Sequence, residues 1–140
     1  MHDVFEIALK SQVSDEQLIV FMAEHFGVQE KFITSEDTYW AEDIEGDEQH
    51  VGLTVERKAS GLATNISGVS YLDLNNDALD KLTSAASRYF GCEAVVGDFR
   101  DERSAQHGAF LSYFPDGSVW ESVDASTGAL SEVSLLRQLR

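Results

Sequence analysis

Carboxylates are the residues of this chain best equipped for chemistry. Glu36, Asp37, Glu42, Asp43, Glu45, Asp47 and Glu48 fall within thirteen residues that contain no Lys or Arg, and Tyr39 and Trp40 sit inside the run. Carboxylates at that density attract cations, either a metal ion or the Lys and Arg side chains of another protein. As a calcium loop, Asp43-Ile44-Glu45-Gly46-Asp47-Glu48 has the donors but not their order. Asp73-Leu74-Asn75-Asn76-Asp77 comes nearer, with oxygen donors at loop positions one, three and five. However, Ala78 stands where the sharp turn needs Gly, and Ser84 where a bidentate Glu is needed. Asp73 or Asn75 reads more simply as a helix N-cap.

Other chemistries find less support. The chain has no Gly-rich phosphate loop with Lys, no His-Glu-x-x-His, no Cys-x-x-Cys and no Gly-x-Ser-x-Gly. One cysteine and four scattered histidines do not suit structural zinc. Cys92 opens an apolar stretch after a glycine, as a buried thiol would. His107 with Asp98 or Asp101 and a serine is a trio that nearly any chain offers. No cofactor is implied, and the expectation is a protein that is not an enzyme.

The acidic run therefore has two readings. As a solvated loop it keeps a protein of low isoelectric point soluble. As a docking surface for a basic protein it justifies the mutual repulsion of seven carboxylates. Tyr39 and Trp40 then supply the aromatic anchors that dominate interface energy, while the charge steers encounter. The two aromatics also suit the core, since a Tyr-Trp pair just after a strand often faces inward. Whole-chain composition sharpens the asymmetry. Up to Glu56 there are fourteen Asp and Glu against Lys10 and Lys31, whereas from Arg57 onward there are eleven acids and eight bases. A net charge of -15 argues against nucleic acid and anionic membrane as direct partners.

The elements that position these residues follow from spacing and punctuation. Length and 43% hydrophobic content predict one globular domain over residues 1–140. The single cysteine fits a reducing compartment, the Met-His-Asp-Val-Phe-Glu start shows no secretory signal, and no apolar stretch approaches a membrane span, so a cytoplasmic protein is expected. Val4–Leu9 reads as a strand. Ser14 with Gln17 opens a helix whose apolar face is Leu18, Met22 and Phe26 beside Ile19 and Ala23, ending at Gly27. Val28–Thr34 reads as a strand, Gly46 as a turn, His50–Lys58 as a half-buried strand and Leu62–Ser67 as its partner. A second helix runs from about Asn75 to Phe90 on a face of Ala78, Leu79, Leu82, Ala86, Tyr89 and Phe90, and Gly91 ends it. Cys92–Phe99 is a further strand. Ala109–Phe114 and Ser118–Val123 form a hairpin around Pro115-Asp116-Gly117. A short helix is expected over about Leu130–Leu139. The fold class is thus α+β, a mainly antiparallel sheet with two principal helices packed on one face and a short C-terminal helix. Glu24-His25-Phe26-Gly27-Val28 and Arg88-Tyr89-Phe90-Gly91-Cys92 echo each other, either as a shared stop signal or as two related strand–helix–strand halves.

In size, acidity, scarcity of cysteine and expected α+β form, the chain resembles the small cytoplasmic immunity proteins that bacteria pair with contact-dependent or polymorphic toxins. The resemblance implies a tight one-to-one complex with a cognate basic toxin domain, often a nuclease. The seven carboxylates would then take the place of the toxin's nucleic-acid phosphates, and Tyr39 and Trp40 would supply buried contacts. Two alternatives belong to other classes. An acidic DNA-mimic or antirestriction-type inhibitor would spread its carboxylates at phosphate-like spacing. A small enzyme or ligand-binding domain would gather pocket residues that are not linear in sequence.

Overall fold

The computed structural model describes residues 4–35, 51–70, 74–100, 108–126 and 131–140. Local signals set the two α-helices of the described residues. Ser14 caps α1 (Asp15–Phe26): its hydroxyl accepts the Gln17 N–H at 3.2 Å, and the Gln17 side chain accepts the Ser14 N–H at 3.0 Å, a complete capping box. Asn75 caps α2 (Asn76–Phe90) by accepting the Ala78 N–H at 2.8 Å. Each helix stops at a left-handed glycine, Gly27 and Gly91, a geometry that costs other residues a Cβ clash.

Among the described residues, eight strands make one sheet: β1 (Val4–Leu9), β2 (Ile33–Ser35), β3 (Val51–Arg57), β4 (Thr64–Ser70), β5 (Ala94–Gly97), β6 (Ala109–Tyr113), β7 (Val119–Asp124) and β8 (Val133–Gln138). Their spatial order is β2-β3-β4-β1-β5-β6-β7-β8. Only β2 and β3 run parallel among the described strands, and the remaining neighbours are antiparallel. The stretch read as a strand over Val28–Thr34 is a 3-10 turn at Glu30–Phe32 followed by β2. The architecture is α+β, with a sheet larger than the helix layer that covers it.

The short helix expected over Leu130–Leu139 is not formed; that stretch contains β8. The pairing Glu121↔Arg137 shifts to Ser122↔Leu135, so a bulge leaves Leu136 outside the alternation. That extra residue removes the two-residue period by which a strand is recognised. Pairing with β7 satisfies the backbone, and tertiary context overrides the helical look of Leu135-Leu136-Arg137.

The core lies on one sheet face. Phe5, Ile7 and Leu9 of β1, Ile66 of β4, Val96 of β5 and Leu111 of β6 point at Leu18, Phe21 and Met22 of α1 and Leu79, Leu82 and Ala86 of α2. The echoed helix ends meet there: Phe21 packs against Tyr89 and Phe90 with ring centroids 5.1 and 5.3 Å apart. Tyr89, expected on the packed face, is 49% exposed, and the buried positions that complete the α2 face are the polar Thr83 and Ser87. Each is satisfied locally, Thr83 by the Leu79 carbonyl at 2.8 Å and Ser87 by the Cys92 carbonyl at 2.7 Å.

The other face is partly covered by the sheet itself. Strand-to-strand twist of about 20–25° accumulates from β4 to β8, and the start of β8 swings back across. Val133 reaches a second small cluster of Ala8, Leu62 and Val95, with Phe110 beside it. The Leu62 N–H donates to the Ser131 carbonyl at 2.8 Å, closing this contact. Gly61 allows it, because a Cβ there would lie 2.4 Å from the same carbonyl oxygen.

Gly68 of β4 has a similar role in the main core. A methyl group at this position would stand 2.1 Å from the Phe5 ring, which lies flat over the glycine. We expect Gly68→Ala to destabilise the fold by about 2–3 kcal/mol through overpacking, measured by urea denaturation. Phe5→Leu in the same chain should recover part of that loss, because the two residues compete for one space. Additive losses would show that Phe5 is not the clash.

Candidate functional site

The acidic run is the connection between β2 and β3. Glu36, Asp37, Tyr39, Trp40, Glu42, Asp43, Glu45, Asp47 and Glu48 lie outside the described residues, as do Gly46, His50, Asp73, Asp101 and His107. Its two attachment points are described. Ile33, Thr34 and Ser35 pair with Val51, Gly52 and Leu53, so the chain leaves and re-enters through strands bonded to each other at one edge of the sheet. Burial of Phe32, Ile33, Val51 and Leu53 fixes both ends to the core.

Folding leaves the charge concentrated there. Strands β1 to β4 occupy one half of the sheet and β5 to β8 the other. In the first half the described residues carry six acids and four bases, close to balance. Of the twelve net negative charges read up to Glu56, seven thus lie in the connection, and Arg57 and Lys58 from the more balanced part of the sequence offset part of the rest. Described cations are also largely engaged. Lys10 pairs with Glu93, Arg57 with Asp15, Lys81 with Asp77, Arg100 with Asp98 and Glu121, Arg137 with Glu121, and Arg140 with Asp80. Lys58 has an interaction of its own, and the seven carboxylates outnumber the other two described bases, Lys31 and Arg88.

Two ionic constellations sit elsewhere, built from residues distant in sequence. In the first, the buried Tyr113 hydroxyl donates to Asp80 at 2.5 Å, and Arg140 closes on the same carboxylate. Burial pushes the Tyr113 phenol up, and its hydrogen bond to Asp80 adds to this, so it keeps its proton at neutral pH. Burial by itself would raise the Asp80 carboxyl. The Arg140 and Tyr113 hydrogen bonds, with the charges of Arg140 and Lys81, outweigh it and hold Asp80 below the usual carboxylate range. A phenol locked as a donor on a carboxylate locked as an acceptor is a clasp, tying the chain's last residue to α2 and β6.

In the second, the Arg100 guanidinium spans Asp98 at 2.7 Å and Glu121 at 2.9 Å, and Arg137 joins Glu121 at 2.7 Å. Hydrogen bonds from Arg100 hold Asp98 below the ordinary carboxylate range despite its burial. The network joins the end of β5 to β7 and β8. Asp98, one candidate for an acid–base trio, is therefore committed to an arginine. Cys92 is half-buried. Among the described residues no three His, Cys, Asp or Glu are grouped to hold a metal ion, and no helix is long and apolar enough to cross a membrane.

A broad groove of about 970 Å³ runs along β1, β3, β4 and β5, reaches Phe110, and at one end meets Asn76 and Leu79 of α2 and the loop after β5. Across it Glu56, Asn65, Ala8 and Val95 form one row, and Thr54, Ser67 and Glu6 the next. Sequence reasoning missed this groove because its lining comes from five strands. The only sequence signal was the polar alternation of β3, at Thr54 and Glu56.

The clasp gives a pH prediction. A depressed folded-state pKa at Asp80 stabilises the fold above the unfolded carboxylate value of about 3.9 and is lost as pH falls through the lower folded value. Asp80→Asn should remove that component and flatten the acid limb of the stability–pH curve, with Tyr113→Phe costing about 1–2 kcal/mol at neutral pH. An acid limb unchanged in Asp80→Asn would show that the clasp contributes nothing there.

No protein-family model matches the chain, and no curated protein or solved structure matches it.

Proposed function

We propose that this chain is a protein inhibitor that docks a cationic partner through the β2–β3 connection, in the manner of an immunity protein neutralising a basic toxin domain. The supporting observation is the separation of charge. The described fold is close to electrically balanced around β1 to β4 and pairs most of its cations internally, while one connection keeps an excess of negative charge. That excess is anchored at both ends on paired, buried strands, so it is presented from a fixed edge. Fixed presentation lowers the ordering cost of binding, and the charge raises encounter rates. A single charged connection also favours this reading over a DNA mimic, which needs carboxylates spread along an elongated surface.

Neutralising the connection in the variant E42Q/D43N/E45Q/D47N/E48Q tests it. With the wild-type chain as bait at low salt, we expect one basic protein domain to be retained in one-to-one ratio. Retention by the variant should fall by about tenfold or more, as loss of several steering charges implies. Equal retention by the variant would remove the electrostatic basis. A small molecule held in place of a protein would move the chain to the ligand-binding class.

A further inference from the structure

We propose that the groove along β1, β3, β4 and β5 is a second contact surface for that same partner, taking an extended Arg- or Lys-bearing segment of it with Glu6 and Glu56 as the recognising carboxylates. The inference rests on the docking function above and adds the site at which the partner's chain is read. Three observations point to it. The groove volume of about 970 Å³ lies at the upper end of ordinary ligand sites, and an open groove lined from several neighbouring strands suits a peptide better than an enclosed small molecule.

Its charges are also unequally committed. Asp98 and Arg100 at one end neutralise each other, and Lys58 has an interaction of its own. Glu6 and Glu56 are exposed and, among the described residues, make no side-chain hydrogen bond or ion pair. They stand on β1 and β3, separated by β4, whose Asn65 and Ser67 lie between them. Two carboxylates divided by neutral hydrogen-bonding groups match two basic side chains of an extended segment, whose backbone amides would meet Asn65 and Ser67. Half-buried Phe110 gives the aliphatic stem of a basic side chain an apolar contact.

The third observation is continuity. Glu56 belongs to β3, the strand into which the acidic connection leads, so one partner can be steered by the connection and read in the groove.

The test uses the full chain, labelled with nitrogen-15, titrated at low salt with the peptide acetyl-Gly-Arg-Gly-Arg-Gly-Arg-amide. Amide shifts are expected at Glu6, Asn65, Ser67, Val95 and Phe110. E6Q/E56Q should weaken binding by roughly tenfold, the combined effect of two exposed ion pairs. E16Q/E24Q makes the same change of charge on α1 and should weaken binding by no more than about twofold, through the general field alone. Equal weakening by the two variants would overturn the groove. Shifts confined to residues 36–48 would overturn the groove and leave the docking function standing. No binding at all would remove both.

Discussion

The structure depends on anchoring its densest block of negative charge, seven acids without a Lys or Arg among them, between two strands paired at one edge of the sheet. Like charges packed at this density favour an expanded chain, since each carboxylate interacts with its neighbours across less than a Debye length at physiological salt. The opposing force is burial on either side. Phe32 and Ile33 before the segment, and Val51 and Leu53 after it, lie in the core, and the parallel β2–β3 pairing binds them together.

Further contacts tie these strands to their neighbours. Arg57 ends β3 by donating to the Val13 carbonyl at 2.9 Å and to Asp15 at 2.6 Å, which joins the strand to the first turn of α1. Thr64 at the start of β4 accepts the Val13 N–H and donates to the Ser11 carbonyl, fixing the turn between β1 and α1. Six of the nine described Lys and Arg side chains are held by carboxylates within the described fold. The proposed recognition draws on a local surplus of charge at one place in the fold.

What sequence could reveal was what short-range physics decides. The Ser14–Gln17 capping box, the Asn75 cap and the Gly27 and Gly91 stops are contacts within a few residues, and the helices fall where those signals put them. The turn at Pro115-Asp116-Gly117 likewise joins β6 to β7. Features settled by distant partners were not visible. Strand β8 exists because β7 is beside it, and its bulge hid the alternation. Tyr113, Asp80 and Arg140 meet from β6, α2 and the end of the chain, with 33 residues between the first two and 60 between the last two. The groove is assembled from the sheet order, and its two carboxylates carry no local sign of a shared face. For the acidic run, composition gave the charge, while the strand pairing showed that it spans one edge-strand connection.

The central claim is that uncompensated charge in the β2–β3 connection drives recognition. Its most direct test is the association rate of the purified complex, followed by stopped flow from about 50 mM to about 500 mM salt. The account predicts a rate for the wild-type chain that falls steeply with ionic strength and converges at high salt on that of the variant neutralised over Glu42–Glu48. An association rate indifferent to salt, and equal in the two chains throughout, would contradict it.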